Sequence, residues 1–131
     1  MLDRILILIF LVMIFIIIKR KFSVISSDKV KNVTAEEANK LVNENKELLI
    51  LDVRTKGEYL SGHITKAKSI PVQQLSNRVK EIERYKDKPL LVYCASGGRS
   101  PMAVKTLLNN NFTNIYHLNR GISSWKYDLK R

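Results

Sequence analysis

The residues best suited to chemistry stand together in Cys94-Ala95-Ser96-Gly97-Gly98-Arg99-Ser100. Cys94 is the single cysteine of the 131 residues. It follows Leu90–Tyr93 (LLVY), an apolar run that reads as a buried strand. Open α/β sheets place their ligands beyond the carboxyl ends of such strands. The small residues after Cys94 let backbone wrap closely around one atom. Pro101 suits the first turn of a helix capped by Ser100. Successive N–H groups in such a loop form an anion nest, and the helix N-terminus adds its partial positive charge. Both favour thiolate over thiol and predict a depressed Cys94 pKa, and Arg99 adds a cation. The chemistry implied is nucleophilic attack by sulfur. The plainer reading is an inert buried cysteine followed by an ordinary turn. Strand end, cysteine, paired glycines, arginine and capped helix together favour the reactive one.

Other chemistries find little to work with. One cysteine allows no intramolecular disulfide and no multi-cysteine metal site, and no metal is expected. The two histidines, His63 and His117, are far apart in sequence, which excludes an HExxH protease and a zinc finger. The net charge of +11 and pI of about 9.9 invite an anionic partner. Nucleic acid is not that partner on this reading, because the aromatics are not interleaved with Lys and Arg. The Lys80–Lys88 stretch, KEIERYKDK, is mixed in sign and reads as a solvated helix face.

Anionic inner-leaflet lipids fit the basic excess better, at about 1 kcal/mol per near-surface cation. Ile5–Ile18 (ILILIFLVMIFIII) contains no polar side chain and is followed by Lys19, Arg20 and Lys21. So uniform a run has no amphipathic face. A cleaved secretory signal would need a small-residue cleavage site, and KRKFSVISS offers none. A lipoprotein signal would need an acylated cysteine. The expectation is an uncleaved single-pass transmembrane anchor over residues 1–22. It is short against the about 17–25 residues a span needs, with Leu2, Phe22 and the stems of Arg4 and Lys19 adding length. The cations on its carboxyl side place the rest of the chain in the cytoplasm, where the lone thiol stays reduced. Residues 23–29 are expected to be a linker and 30–131 one domain. Beyond residue 22, the remaining 19 cations and 11 anions leave +8.

The elements that must position the loop alternate in type. Val30–Val33 reads as a short strand, and Thr34 to Glu37 as a capping box opening a helix to about Asn43. Leu48–Val53 (LLILDV) reads as a strand covered on both sides. Thr55–Ser61 is a helical turn, and Ala67–Ile70 a brief strand stopped by Pro71. Leu75, Val79 and Ile82 repeat at helical spacing. The helix after Ser100 ends in the Asn109–Asn111 run. Asn114–Leu118 is a last strand and Gly121–Leu129 contains a last helix. Such alternation implies an α/β fold with a mostly parallel sheet.

Over about residues 30–130 the sequence resembles the rhodanese-like domain, a sulfurtransferase family. Leu51-Asp-Val-Arg-Thr-Lys-Gly-Glu-Tyr-Leu-Ser-Gly-His-Ile64 is similar to the family's D-x-R-x₃-E-[FY]-x₂-G-H-I stretch. Tyr93-Cys-Ala-Ser-Gly-Gly-Arg-Ser100 is similar to its C-x-x-G-x-R-S active loop. Leu118-Asn-Arg-Gly121 with Trp125 resembles its L-x-G-G-x₃-W ending, except that Arg120 stands where many members have Gly. The arrangement of an anchor ahead of one domain looks like small bacterial membrane-tethered members. The resemblance implies a three-layer fold, a five-stranded parallel sheet flanked by helices. It implies that Cys94 carries sulfur, taken from thiosulfate, a polysulfide or a persulfide and passed to a thiol, an acceptor protein, sulfite or cyanide. No cofactor is required.

Several residues support two readings. Asp52 either pairs with Arg99 and holds loop amides, or bonds its own backbone two residues on. Arg54 and Glu58, four apart, are expected either to pair or to link to a neighbouring loop, and to be structural. His63 could look like a general base, but an ionised thiol needs none, and the resemblance implies that this histidine packs and hydrogen-bonds rather than reacts. His117 is expected to be exposed, and Trp125 to plug the core. Arg99 either clamps an anionic donor or turns to a carboxylate, and the second is favoured. Two rival functions remain. A Cys-based phosphatase or arsenate reductase needs Cys-x₅-Arg to fork the arginine onto a tetrahedral oxyanion, and here the spacing is Cys-x₄-Arg. A non-catalytic binding or sulfur-relay module would use the fold alone.

Overall fold

The computed structural model describes residues 1–23 and 28–131, with backbone only for 20–23. Part of the expected linker, residues 24–27, lies outside the described residues. Helix α1, Leu2–Ser23, forms the N-terminus. Its apolar side chains are exposed on every side, from Ile5 (53%) through Phe10 (65%) to Ile18 (53%). Among the described residues, however, no helix is long and apolar enough to cross a membrane. The expected transmembrane span therefore needs correcting. The stretch Leu2–Lys19 is interrupted by Asp3, Arg4 and Lys19 near its ends. The apolar run between them rises only ~21 Å, against ~30 Å of bilayer hydrocarbon.

The remaining elements follow in the order β1 (Val30–Val33), α2 (Ala35–Glu44), β2 (Leu49–Asp52), α3 (Lys56–Ser61), β3 (His63–Ile64), β4 (Lys68–Ser69) and α4 (Val72–Arg78). A 3-10 helix over Val79–Tyr85 continues α4. Then come β5 (Leu90–Tyr93), α5 (Ser100–Asn109), β6 (Ile115–Leu118), a 3-10 turn at Gly121–Ser124 and β7 (Leu129–Lys130). Five strands form one parallel sheet in the order β1-β6-β5-β2-β4. β5 lies at its centre, so Cys94 leaves from the middle of the sheet's carboxyl edge.

Alternation along the strands builds two cores. Leu49, Leu51, Leu90, Val92 and Cys94 pack with Leu75, Ile82, Ala103 and Leu107 under α4 and α5. Ile50, Leu91, Tyr93 and Leu118 face the other way, against Ala38 of α2, Ile64 and Trp125. Successive strand residues point to opposite faces, so burial on both explains the uninterrupted apolar runs of β2 and β5. This is the expected three-layer α/β arrangement.

The departures are local. The expected final helix is a short 3-10 turn. The chain beyond it extends to β7, which pairs antiparallel with β3, Leu129 opposite Ile64. Ser100 is inside α5, whose first residues have no side-chain cap. The complete capping box is at Thr55 and Glu58 rather than at Thr34 and Glu37. Thr34 Oγ1 does accept from the Glu37 amide, at 3.2 Å.

Candidate functional site

β5 fixes where Cys94 starts, and parity fixes where it points. Val92 and Cys94 share one face, so the thiol faces the α5 layer and is fully buried. The loop then returns around it. The Gly97 amide donates to Sγ at 3.1 Å and the Ser100 amide at 3.3 Å. The Ser100 hydroxyl also lies 3.3 Å from Sγ. Burial pushes the thiol pKa up. The Ser100 hydroxyl and the amides of Ser100, Arg99 and Gly97 outweigh it, so the thiol lies below its ordinary value. The predicted nest is present, and Ser100 serves the sulfur rather than the helix end.

Two glycines make this path possible. Gly97 has φ +94°, and a Cβ there would overlap the Asn119 carbonyl oxygen. Gly121 has φ +62°, and a Cβ would lie 2.5 Å from the Cys94 carbonyl oxygen and 2.6 Å from the Ala95 carbonyl carbon. Left-handed backbone of this kind favours glycine. Gly98, by contrast, has open space where a Cβ would stand. The turn after Gly121 holds the start of the loop, with Ile122 N–H donating to the Cys94 carbonyl (2.9 Å) and Ser123 N–H to that of Ala95 (3.0 Å). Arg120, at φ −98°, needs no left-handed backbone.

Ala95, Ser96, Gly97 and Gly98 form the loop's outer surface, Ser96 and Gly98 exposed. Arg99 turns away from the sulfur. Its two terminal nitrogens fork onto Glu58, at 2.7 and 2.9 Å. Glu58 Oε1 also accepts from the Thr55 amide at 3.2 Å. The Arg99 guanidinium is the main reason the Glu58 carboxyl drops to about 2. The carboxylate choice for Arg99 is therefore the one observed.

Of the two expectations for Arg54 and Glu58, the mutual pair is absent and the link to a neighbouring loop is present, since Glu58 holds Arg99 and Arg54 has other partners. Arg54 forks onto Asp52, with Nε at 3.0 Å from Oδ1 and Nη2 at 2.6 Å from Oδ2. Nη2 also donates to the Gly62 carbonyl at 2.7 Å. Asp52 Oδ1 accepts the Arg54 backbone N–H at 2.9 Å, the self-bond two residues on, and it does not meet Arg99 through any hydrogen bond. His63 is buried, stacks on Tyr59 with centroids 3.7 Å apart, and bonds the Tyr59 carbonyl through Nδ1 at 2.8 Å. Trp125 is half-buried against the α2 side of the sheet.

His117 overturns its expectation. It is 1% exposed, with Nε2 at 2.5 Å from Ser100 Oγ and Nδ1 at 2.9 Å from Asn32 Oδ1. Strand parity contained the signal. Ile115 and His117 share the α5-facing side of β6, and His117 sits beside Val92 on β5. A cleft of about 500 Å³ includes Asn32, Asn119 and Arg120 in its wall but not Cys94.

Known proteins agree with this geometry. The sequence profile of the rhodanese-like domain matches residues 34–128. The chain belongs to the rhodanese-like domain family. It is 41% identical over 81 residues to the uncharacterized protein YqhL of Bacillus subtilis, covering 62% of this chain and 63% of that protein. A sulfurtransferase of Allochromatium vinosum is 29% identical over 96 residues, covering 73% and 88% of the two chains. The structure of a thiosulfate sulfurtransferase from Pseudomonas aeruginosa superposes with a TM-score of 0.71 at 28% identity. That match covers 85% of this chain and 22% of the Pseudomonas protein. The rhodanese-like family thus includes sulfurtransferases.

Proposed function

We propose that the protein is a sulfurtransferase that carries sulfane sulfur as a persulfide on Cys94. The observation that carries the reading is the set of groups around one sulfur atom: the Gly97 and Ser100 amides, which donate to it, and the Ser100 hydroxyl bonded beside it. They stabilise the thiolate before the reaction without reorganising. The thiolate attacks the outer sulfur of thiosulfate, a polysulfide or a persulfide. The donor's S–S bond breaks and the leaving group departs with the electron pair, as sulfite when thiosulfate is the donor. A thiol, an acceptor protein, sulfite or cyanide then attacks the outer sulfur and regenerates the Cys94 thiolate. No oxidant or cofactor enters this exchange. Arg99 committed to Glu58 supports sulfur transfer over phosphoryl transfer, which would need that fork on substrate oxygens.

Mass spectrometry tests the reading. Incubation with thiosulfate or polysulfide should add one sulfur, about 32 Da, at Cys94, and cyanide or excess thiol should remove it. Cys94→Ser should abolish both steps with the fold intact. Sulfur transfer by folded Cys94→Ser would refute the mechanism. Loading without onward transfer to any acceptor would favour a non-catalytic sulfur-relay module.

We further propose that α1 attaches the protein to the lipid of the cell membrane, with the folded part on the cytoplasmic side. The support is the exposed apolar surface of Ile5–Ile18 and the Lys19-Arg20-Lys21 sequence after it. Retention in membranes through alkaline carbonate washing is expected. A soluble product beginning near Ser23 would refute attachment. Shielding of the domain from cytosolic protease would reverse its side.

A further inference from the structure

A buried histidine beside a nucleophilic thiol raises the question of where the thiol's proton goes. Asn32, His117, Ser100 and Cys94 form a continuous hydrogen-bonded chain across the α5-facing side of the sheet. Its members lie on β1, β6, α5 and the end of β5. The directions of the bonds are fixed from one end. The Asn32 Oδ1 atom can only accept, so His117 Nδ1 carries a hydrogen. In the neutral ring Nε2 then accepts, and takes the Ser100 O–H. The Ser100 oxygen is left to accept the Cys94 S–H, at 3.3 Å. Every donor has one acceptor. One proton shift at each of the Cys94–Ser100 and Ser100–His117 links reverses those two bonds without moving a heavy atom, and the Nδ1–H still donates to Asn32. The S–H bond breaks as an Oγ–H bond forms on Ser100, and the original Ser100 O–H breaks as Nε2–H forms. The products are a thiolate facing the Ser100 hydroxyl and an imidazolium whose two N–H groups face Ser100 and Asn32. Charge and atoms balance within the protein.

We propose that His117 holds the Cys94 proton: it takes that proton through the Ser100 hydroxyl as the thiolate forms and returns it when the thiol re-forms, with Asn32 fixing the ring. This rests on reading Cys94 as the nucleophile and adds to it a built-in acid partner. His117 acts through Ser100, so it is a positioning residue rather than a catalytic one. Burial lowers the ring's own proton affinity, so the imidazolium depends on the thiolate across Ser100 to sustain it. Toward the ring, β1 presents Asn32, β5 presents Val92 and α5 presents Ser100. The charged side chains of the loop and of β2 are already paired, Arg99 with Glu58 and Asp52 with Arg54.

The test reads thiol ionisation in the full chain, independently of sulfur transfer. Cys94 alkylation by iodoacetamide and ultraviolet thiolate absorbance are followed against pH in wild type, His117→Gln and Asn32→Asp. His117→Gln is expected to raise the apparent thiol pKa by about one unit, slowing alkylation about tenfold on the acid side. Asn32→Asp, at an exposed position of β1, puts a carboxylate on Nδ1–H and is expected to shift the profile the opposite way. In wild type the His117 Nε2 nitrogen resonance should move when Cys94 is alkylated. A purely structural His117 predicts lowered stability with no shift in the profile. An unchanged profile in folded His117→Gln overturns the proposal, as does a shift of the same sign in both variants. If His117→Gln does not fold, Asn32→Asp and the wild-type resonance decide. Opposite shifts in a protein that never loads sulfur would keep the proton relay and refute the sulfurtransferase reading.

Discussion

Replacing Arg54 by alanine should damage the fold far more than its position in a surface turn suggests. Arg54 is 6% exposed and Asp52 is fully buried. The substitution deletes the fork on Asp52 and the 2.7 Å bond to the Gly62 carbonyl. The Asp52 carboxylate keeps the Arg54 backbone N–H, at 2.9 Å, and its side-chain hydrogen bond with Tyr93, but no cation. Removing one partner of such a pair costs about 3–5 kcal/mol, because the other charge stays buried without compensation. A domain of this size is stable by about 5–15 kcal/mol, so roughly a third of the margin goes. At about 4–8 °C per kcal/mol, the melting temperature should fall by on the order of 20 °C. Thermal and urea unfolding measure it. Arg54→Met combined with Asp52→Leu should recover at least about 1 kcal/mol relative to Arg54→Ala, since both desolvation costs vanish together. An Arg54→Ala melt within about 3 °C of wild type would refute the reasoning. So would a double variant weaker than the single one.

Gly121→Ala should lose about 1–2 kcal/mol from left-handed backbone alone, and more from the 2.5 Å approach to the Cys94 carbonyl. It should also slow Cys94 alkylation, whereas Gly98→Ala, with open space, should change neither; equal effects at the two sites would contradict the clamp. Glu58 is held at about 2 by Arg99, below its ordinary 4.5. A depressed folded value stabilises fully above about pH 4.5 and fades as pH falls toward about 2. Urea midpoints of wild type and Glu58→Gln should therefore converge over that range, and a gap independent of pH would exclude the assigned role.

Much of this was legible because burial on both faces leaves a strong pattern. The runs Leu48–Val53 and Leu90–Tyr93 marked the two central strands, and Cys94 marked their active end. The failures share a physical cause. Arg54 and Glu58 are four apart, but only Glu58 is in α3; Arg54 precedes its cap, Thr55, and helical spacing does not apply to it. Asp52 and Arg54 sit two apart in extended chain, where side chains share a face, and that period was the relevant one. His117 looked exposed because one polar residue in a short strand resembles solvent-side alternation. Its neighbours Tyr116 and Leu118 in fact face the α2 side, so His117 faces inward toward α5. Nothing local could announce β7, which is only two residues long and whose Leu129 pairs with Ile64 of β3, far away in sequence.

The donors around Cys94 also make the thiolate part of the fold's own stability. Gly97 and Ser100 aim backbone N–H groups at one sulfur atom, and the loop tolerates that geometry only while an acceptor is present. Because the folded state lowers the thiol pKa, folding and ionisation favour each other. The contribution is present in full above the unfolded thiol's pKa and is lost as pH falls through the folded one. A persulfide keeps Sγ as an acceptor in the ring and carries its negative charge on the outer sulfur bonded to it, whereas a thiol blocked by a neutral group carries no charge there. The loop is thereby suited to two charged states of one residue, thiolate and persulfide. Arg99 is not required to neutralise either state, which leaves it free to tie the loop to α3 through Glu58.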